Sequence, residues 1–240
     1  MRMSPFWLSS LRKFAVAAAI TICSVSNAKS GPFEDAEAAR DRGDRETAFR
    51  IYRALVDQGN AKAEYYLGGM YYGDGDFGQA LKWYQKAAED GFAQAEYRIG
   101  EMYIFGHGVR KDADEGVRHY KKALLAGYAP AGWELGRIYY LGEDVERDYA
   151  QSAKWFRLSA EQGYAISAHQ LALLYRDGEG VPKDFVSAHM WSNLAAAWAK
   201  PEATILKAAA TALRDSLEGS MTPGQIAEAR RLAREFKPKQ

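Results

Sequence analysis

Apolar and polar positions alternate along this chain with the spacing of amphipathic helices, and the whole pattern recurs about every 36 residues. The most regular marker is an aspartate, which occurs at intervals of 32, 36, 36 and 36 residues at Asp44, Asp76, Asp112, Asp148 and Asp184. Seven positions after each of the last four aspartates stands a ring-bearing residue, namely Trp83, His119, Trp155 and Trp191. A period of this length indicates a solenoid, in which each unit buries its apolar face against its neighbours.

The pattern within each unit predicts two helices joined by a short loop. The first helix has small and aliphatic residues at helical spacing and a glycine near its middle, at Gly68, Gly100 and Gly136. Because such a glycine costs about 1 kcal/mol relative to alanine, its recurrence predicts that a neighbouring helix approaches closely. The fourth unit has Ala172 at this position. The second helix is predicted to begin at the aspartate, whose carboxylate would cap it, and to bury its tryptophan within an apolar stripe.

The units share the pattern A-x-A-x-x-x-L-G-x-x-Y, then G-x-G-V-x-x-D and A-x-x-W-Y-x-x-A-A, which resembles the Sel1-like repeat, a relative of the tetratricopeptide repeat. The resemblance covers about residues 36–200. It implies an all-α fold, a right-handed superhelical solenoid of helix-turn-helix repeats. The chain departs from the pattern at Asp76-Phe77, where the loop is four residues shorter, at His119 in place of Trp, and at Asp144 in place of the second loop glycine.

The sequence predicts a targeting segment before the solenoid and a helical cap after it. Residues 1–28 are expected to be a cleaved signal peptide, because basic residues precede a twelve-residue apolar run and a small-x-small site; an uncleaved anchor is the alternative. Residues 29–35 are expected to be a linker. The solenoid follows as a half-unit at 36–60 and units at 61–92, 93–128, 129–164 and 165–200. Residues 201–240 are predicted to form C-terminal capping helices, the last beginning with a capping box at Thr222 and Gln225.

Composition excludes several classes of function. The chain has 32 basic and 31 acidic residues, and loss of residues 1–28 would leave 29 and 31, so nothing indicates a nucleic acid or an anionic membrane surface as partner. After cleavage of the signal peptide we expect no membrane span. The single cysteine, Cys23, lies in the predicted signal peptide, so the mature chain would form no disulfide. No H-E-x-x-H, G-x-S-x-G or G-x-x-x-x-G-K motif occurs. We therefore expect no catalytic residues, no bound metal and no cofactor.

The resemblance to tetratricopeptide folds implies that the first helix of each unit lines a concave groove. The positions it places in the groove include Ile104 and eight candidate partner-binding residues: Tyr65, Tyr97, Glu101, Phe105, Trp133, Arg137, Tyr140 and Arg176. Aromatic residues and arginine are enriched at interface hot spots. For Tyr65, Tyr97 and Trp133, the alternative is that they only pack between helices. For Glu101, Arg137 and Arg176, the alternative is simple exposure to solvent.

These observations predict a non-enzymatic adaptor or scaffold, monomeric and located in the periplasm or secreted by a Gram-negative bacterium. Its partner would be a segment of another envelope or secreted protein, held in the groove. The C-terminal M-T-P-x-Q-I-A-E-A segment resembles the cap of bacterial Sel1-like proteins, which favours this source. Two alternatives remain: an immunity protein that neutralises a delivered toxin, and an enzyme acting on cell wall or β-lactams, which the missing cysteines and catalytic motifs disfavour.

Overall fold

The structure, a computed structural model, describes residues 31–239, and the signal peptide predicted at 1–28 lies outside the described residues. Over this range every regular element is an α-helix. The helices are α1 (Pro32–Asp41), α2 (Arg45–Val56), α3 (Ala61–Gly73), α4 (Phe77–Glu89), α5 (Ala93–Phe105), α6 (Ala113–Leu125), α7 (Ala129–Leu141), α8 (Tyr149–Glu161), α9 (Ala165–Asp177), α10 (Phe185–Trp198), α11 (Thr204–Glu218) and α12 (Pro223–Glu235). The chain divides into two compact units at the boundary between Leu55 and Val56.

The first unit is helical from Pro32, so α1 begins inside the segment 29–35 that was predicted as a linker. Proline is favoured in the first turn of a helix because its fixed φ suits the turn and no N–H is needed there. Two acidic residues, Glu34 and Asp35, occupy the same turn, where the helix dipole favours negative charge. The half-unit predicted at 36–60 therefore contains most of α1 as well as α2, where a loop and one helix were expected.

The second unit carries four helix pairs, α3/α4, α5/α6, α7/α8 and α9/α10. The two helices of each pair pack against each other, and the second helix of each pair packs against the first helix of the next. First helices also meet directly, since α7 contacts α9. This arrangement confirms the predicted all-α repeat solenoid.

The glycine in the middle of the first helix allows the two helices of a pair to approach closely. A Cβ atom added at Gly68 would lie 2.7 Å from a ring carbon of Tyr84 on the second helix. The corresponding distance is 2.7 Å from Gly100 to Tyr120 and 2.4 Å from Gly136 to Phe156. The close approach predicted from the sequence is thus confirmed, and the approaching group is a ring of the same repeat. In the fourth repeat both positions change, to Ala172 and Ser192, and both side chains are fully buried.

The aspartates of the register cap the second helices. The carboxylate accepts a hydrogen bond at 2.9–3.0 Å from the backbone N–H three residues later in three helices, at Asp76, Asp112 and Asp148. Asp184 differs, because it accepts from the N–H of Val186 at 2.9 Å and from the hydroxyl of Ser187 at 2.6 Å. Each cap satisfies an N–H group that the first turn of the helix leaves free.

The loop between the helices of one repeat packs against the preceding repeat. A Cβ at Gly108 would lie 2.6 Å from Phe77 Cβ, and a Cβ at Gly180 would lie 2.1 Å from the carbonyl oxygen of Tyr149. Both glycines have positive φ, a conformation that other residues adopt with strain. Asp144 replaces this glycine in the third repeat, and its carboxylate pairs with Lys111 Nζ of the preceding repeat at 2.5 Å. An ion pair therefore joins the repeats at the position where the second and fourth repeats have this glycine.

The last two helices cover the end of the fourth repeat, since α11 and α12 both pack on α10. The predicted capping box at Thr222 and Gln225 is present. Buried His189 of α10 places Nε2 2.9 Å from Glu218 of α11, and the same carboxylate accepts from Arg230 of α12 at 2.8 Å.

None of the helices in residues 31–239 combines the length and the apolar character that crossing a bilayer requires.

Candidate functional site

Side chains of the first helices meet across the solenoid and form a continuous surface, which we call the inner face. Tyr65 of α3 accepts a hydrogen bond from Arg98 Nε of α5 at 3.4 Å. Tyr97 of α5 lies close enough to Glu101 and, on α7, Glu134 for the charge of these carboxylates to add to the effect of burial and raise the pKa of Tyr97. A hydrogen bond therefore joins the first and second repeats along this face, and the charges of Glu101 and Glu134 extend this polar network to the third.

Arg98 lies at the centre of this network. Its Nη1 donates to Glu101 Oε2 at 2.6 Å, and its guanidinium lies 5.8 Å from the Tyr97 ring centroid. Burial alone would lower the pKa of Arg98, but the hydrogen bonds to Tyr65 and Glu101 outweigh burial and raise that pKa above its ordinary value. The guanidinium is therefore charged and held in one orientation.

A second ion pair follows on α7. Arg137 Nε donates to Glu134 Oε2 at 3.0 Å, and its Nη2 forms an ion pair with the same oxygen at 3.0 Å. The guanidinium also lies 5.8 Å from the Trp133 ring centroid. Burial raises the pKa of Glu134, and Arg137 opposes that rise. Like the pair on α5, this pair is formed within one helix, so the face presents fixed charges that largely cancel.

The aromatic residues of the inner face also pack between helices, which was the alternative considered for them. Tyr65 contacts the rings of Tyr84 and Phe92, with centroids at 5.7 and 5.0 Å. Tyr97 contacts Tyr120 at 5.2 Å. Burial, followed by the charge of a neighbouring glutamate, raises the pKa of Tyr97. These rings are half-buried, and their hydroxyl groups enter the polar network, so packing and surface roles coincide.

Ile104 does not belong to this face. Its side chain is 2 % exposed, which contradicts its predicted place in the groove. The cause is Gly116 of α6, where an added Cβ would lie 2.7 Å from Ile104 Cγ1. The glycine opens a slot between α5 and α6, and the isoleucine fills it.

Exposed apolar side chains lie at the C-terminal ends of α5 and α7. Phe105 is 57 % exposed, Tyr140 37 % and Leu141 36 %. The Phe105 ring stacks on His107, with centroids at 5.8 Å, and the imidazole is fixed in turn because its Nδ1 lies 2.6 Å from the Tyr72 hydroxyl. These residues offer apolar area to a partner without any rearrangement of the fold.

The predicted residues therefore fall into three groups. Five of them share the network, namely Tyr65, Tyr97, Glu101, Trp133 and Arg137. Phe105 and Tyr140 form its exposed apolar edge. Arg176 stands apart and pairs with the adjacent Asp177 at 2.7 Å.

The sequence analysis missed Arg98 and Glu134, because the equivalent positions in other repeats hold Tyr66 and Gln170 and give no periodic signal. Within residues 31–239, no group of three or more His, Cys, Asp or Glu side chains is placed to hold a metal ion.

Comparison with known families matches this organisation. The family model of the Sel1 repeat matches residues 61–92, 93–128, 129–164 and 165–197, more than half of the chain. The chain belongs to the Sel1 repeat family. Sel1 repeat proteins generally mediate protein–protein interactions, and the repeat is typically a non-catalytic scaffold. No curated protein sequence is a significant match to the chain.

Several solved structures are similar to this Sel1 repeat protein. The c5321 protective antigen of uropathogenic Escherichia coli, which displays the same fold, is 28% identical with a TM-score of 0.66, over 85% of this chain and 44% of that one. A Sel1 repeat protein of Oxalobacter formigenes is 32% identical with a TM-score of 0.57, over 66% and 47%. The immunity protein PA5088 of Pseudomonas aeruginosa is 22% identical with a TM-score of 0.45, over 91% and 84%. The chain spans less than half the length of the first two.

Proposed function

We propose that this protein is a non-enzymatic adaptor that binds an extended segment or a helix of another protein on the inner face of its Sel1 repeats. One observation carries the proposal: fixed aromatic and charged side chains line the first helices of three repeats, and exposed Phe105, Tyr140 and Leu141 lie at the C-terminal ends of two of these helices. Interfaces commonly combine such apolar anchors with a polar rim whose hydrogen bonds are satisfied.

The network lowers the cost of binding. Arg98 and Arg137 are already held by carboxylates of their own helices at 2.6 and 3.0 Å. Immobilising a long side chain on binding costs about 0.5–1.5 kcal/mol, and these two side chains are ordered before the partner arrives. Since each guanidinium is paired with a carboxylate, the face selects its partner by shape and apolar contact more than by net charge.

We place this function in the periplasm or outside the cell, with the protein acting as a monomer. Support comes from residues 1–28, where basic residues precede a short apolar run and a small-x-small site. The partner would then be an envelope protein or a secreted protein. Localisation of a C-terminally tagged copy by cell fractionation tests this part of the proposal, and retention in the cytoplasm would contradict it.

A crosslinking experiment tests the inner face itself. A photo-crosslinking amino acid replaces Phe105 in one strain and Ile205 in another, because Ile205 is also strongly exposed, at 86 %, but lies on α11. We expect the Phe105 position to capture one protein in the envelope fraction that the Ile205 position does not. Equal capture at both positions would contradict the assignment.

The captured partner is then purified and titrated against variants. Phe105→Ala combined with Tyr140→Ala removes two exposed anchors and is expected to weaken binding at least tenfold, which corresponds to about 1.4 kcal/mol. Ile205→Ala serves as the matched control and is expected to bind like the original chain. Undiminished binding by the double variant, with unchanged circular dichroism, would rule out the inner face.

Two other results would identify the alternative functions. A toxin neutralised on binding would identify an immunity protein, and peptidoglycan or nitrocefin turnover abolished by a single substitution would identify an enzyme.

A further inference from the structure

The exposed side of the second helices, which we call the outer face, differs in charge between the second and third repeats. In the second repeat Glu115 accepts from Arg118 Nε at 2.9 Å, and Glu96 pairs with Lys122 Nζ at 3.4 Å. The third repeat has a basic residue at the position of Arg118, namely Lys154. The positions of the two glutamates are occupied there by Gln151 and Gly132, so the neutralising carboxylates are lost.

Three cations on this face have no carboxylate partner, and Lys154 is the one affected by these replacements. Lys121 Nζ and Lys154 Nζ lie 5.4 and 4.8 Å from the centroid of the Trp155 ring. Arg157 lies over the Tyr175 ring at 5.6 Å and donates to the hydroxyl of that tyrosine. Within residues 31–239, no carboxylate oxygen lies within 4.0 Å of any of these three basic groups. The rings hold the cations in place and leave their charge unneutralised.

Apolar cavities adjoin these cations. A cavity of about 320 Å³ is lined by Ala150, Ala153, Leu158 and Val181, with Lys154 and Arg157 at its wall. A second cavity of about 420 Å³ shares Leu158 and extends to Leu125 and Pro238. Leu125 is 81 % exposed. The one acidic group in this lining, Glu161, is paired with Lys239 at 2.5 Å. The surface therefore combines unneutralised positive charge with concave apolar area.

We propose that this outer surface docks an acidic amphipathic helix of another protein. Apolar side chains of the helix would fill the two cavities, and its carboxylates would pair with Lys121, Lys154 and Arg157. A polysaccharide or nucleic acid supplies negative charge but would leave the apolar cavities empty. The chain's own residues 1–30 do not fit, because they carry four basic residues and no acidic one. Charge complementarity thus selects an acidic protein segment.

Gln151→Glu tests the proposal with little risk to the fold. In the second repeat Glu115 pairs with Arg118, three residues further along the helix. Gln151→Glu places a carboxylate at the same spacing from Lys154 in the third repeat. A glutamate in the first turn of a helix is favourable, and the cap of α8 uses the backbone N–H of residue 151, which is retained. Gln79→Glu is the matched control, since it makes the same change beside Lys82 in the first repeat, away from these cavities.

The probe is a displayed library of helical peptides, selected on the full chain alone, and the Gln151→Glu variant is kept for the binding measurement. We expect the selected peptides to combine Asp or Glu with Leu, Ile or Phe at helical spacing. A synthesised representative is expected to bind the Gln151→Glu variant at least tenfold more weakly, to bind the Gln79→Glu control and a Phe105→Ala variant unchanged, and to weaken as salt rises.

Three results would overturn the proposal. The selected peptides could be neutral or basic, the Gln151→Glu variant could bind as tightly as the original chain, or dextran sulfate or phosphatidylglycerol vesicles could bind these cations more tightly than any acidic peptide. Because the inner-face residues are unchanged in Gln151→Glu, failure here leaves the adaptor proposal standing. Loss of binding in Phe105→Ala alone would instead place the peptide on the inner face.

Discussion

The third and fourth repeats share one register but build the contact between their two helices in opposite ways. In the third, Gly136 lies under the Phe156 ring, where an added Cβ would be 2.4 Å from a ring carbon. In the fourth, the equivalent residues are Ala172 and Ser192, and the buried Ser192 hydroxyl donates to the Ala188 carbonyl at 2.8 Å. The comparison indicates that the two positions depend on each other, since the residue without a side chain accompanies a ring on the other helix and a methyl group accompanies a small hydroxyl.

The largest loss of stability is expected when Phe156 of the third repeat is replaced by serine, the residue that the fourth repeat has at this position. Phe156→Ser removes a ring that is 3 % exposed and leaves a cavity that Gly136 cannot fill. We expect the free energy of unfolding to fall by about 3–5 kcal/mol, as for other deletions of a buried aromatic ring. Urea titration followed by circular dichroism measures this loss.

The control for this change lies in the fourth repeat. Ser192→Ala removes only a hydroxyl bonded within its own helix and is expected to cost no more than about 1.5 kcal/mol. If both substitutions cost the same, the two repeats would not differ in how they fill this contact.

A smaller effect, with a change of sign, is expected from Gly136→Ala. In the original chain the new methyl group would overlap the Phe156 ring, and overpacking of this kind costs about 1–3 kcal/mol. In a Phe156→Ser background the overlap is gone, and the helix preference of alanine, about 1 kcal/mol, should make the same substitution stabilising. A double-mutant cycle in urea measures the coupling; additive effects would show that the two positions are independent.

The sequence was sufficient for the features that are local and periodic. The register of Asp76, Asp112, Asp148 and Asp184 located the second helices, because each cap bonds to an N–H within its own first turn. The recurring glycine indicated the close helix contact. By contrast, Pro32 begins α1 inside the predicted linker, because a short proline-containing segment carries no repeat signal that would distinguish a helix start from a loop.

The site was less predictable, because it depends on contacts between helices that are far apart in sequence. Arg98 donates to Tyr65, 33 residues earlier, and the charge of Glu134 acts on Tyr97, 37 residues before it. The two contacts join equivalent positions of successive repeats, but the position of Arg98 and Glu134 changes in chemistry from repeat to repeat, so the pattern did not indicate the contacts. Ile104 shows the reverse error: its position in the repeat predicted exposure, and Gly116 on the neighbouring helix made a slot that buries it.

The caps of α8 and α10 allow a finer comparison of the same two repeats. Asp148 accepts one hydrogen bond, from the N–H of Gln151, whereas Asp184 accepts from the N–H of Val186 and from the Ser187 hydroxyl. Replacing either by alanine should reduce stability by about 0.5–2 kcal/mol, with the larger loss at Asp184. Thermal unfolding of the two variants, with Ser187→Ala added to each, measures the difference; equal losses would mean that the second bond of Asp184 contributes nothing.

The smallest expected effect is a change in pH dependence at the position where the third repeat has Glu134 and the fourth has Gln170. Burial raises the pKa of Glu134 in the folded chain above its ordinary value of 4.5, so between those two pKa values the folded state holds a proton that the unfolded state has released. This contribution to stability is complete below the unfolded pKa and is lost as the pH rises through the folded one. Glu134→Gln keeps an acceptor for Arg137 and removes the titrating group, so the stability of this variant should decline less as the pH rises over that interval.

Urea midpoints measured from pH 4 upward give the slope of stability against pH, with Gln170→Ala as the control that alters no titrating group. If the slopes of Glu134→Gln and the original chain coincide, burial does not perturb this carboxyl.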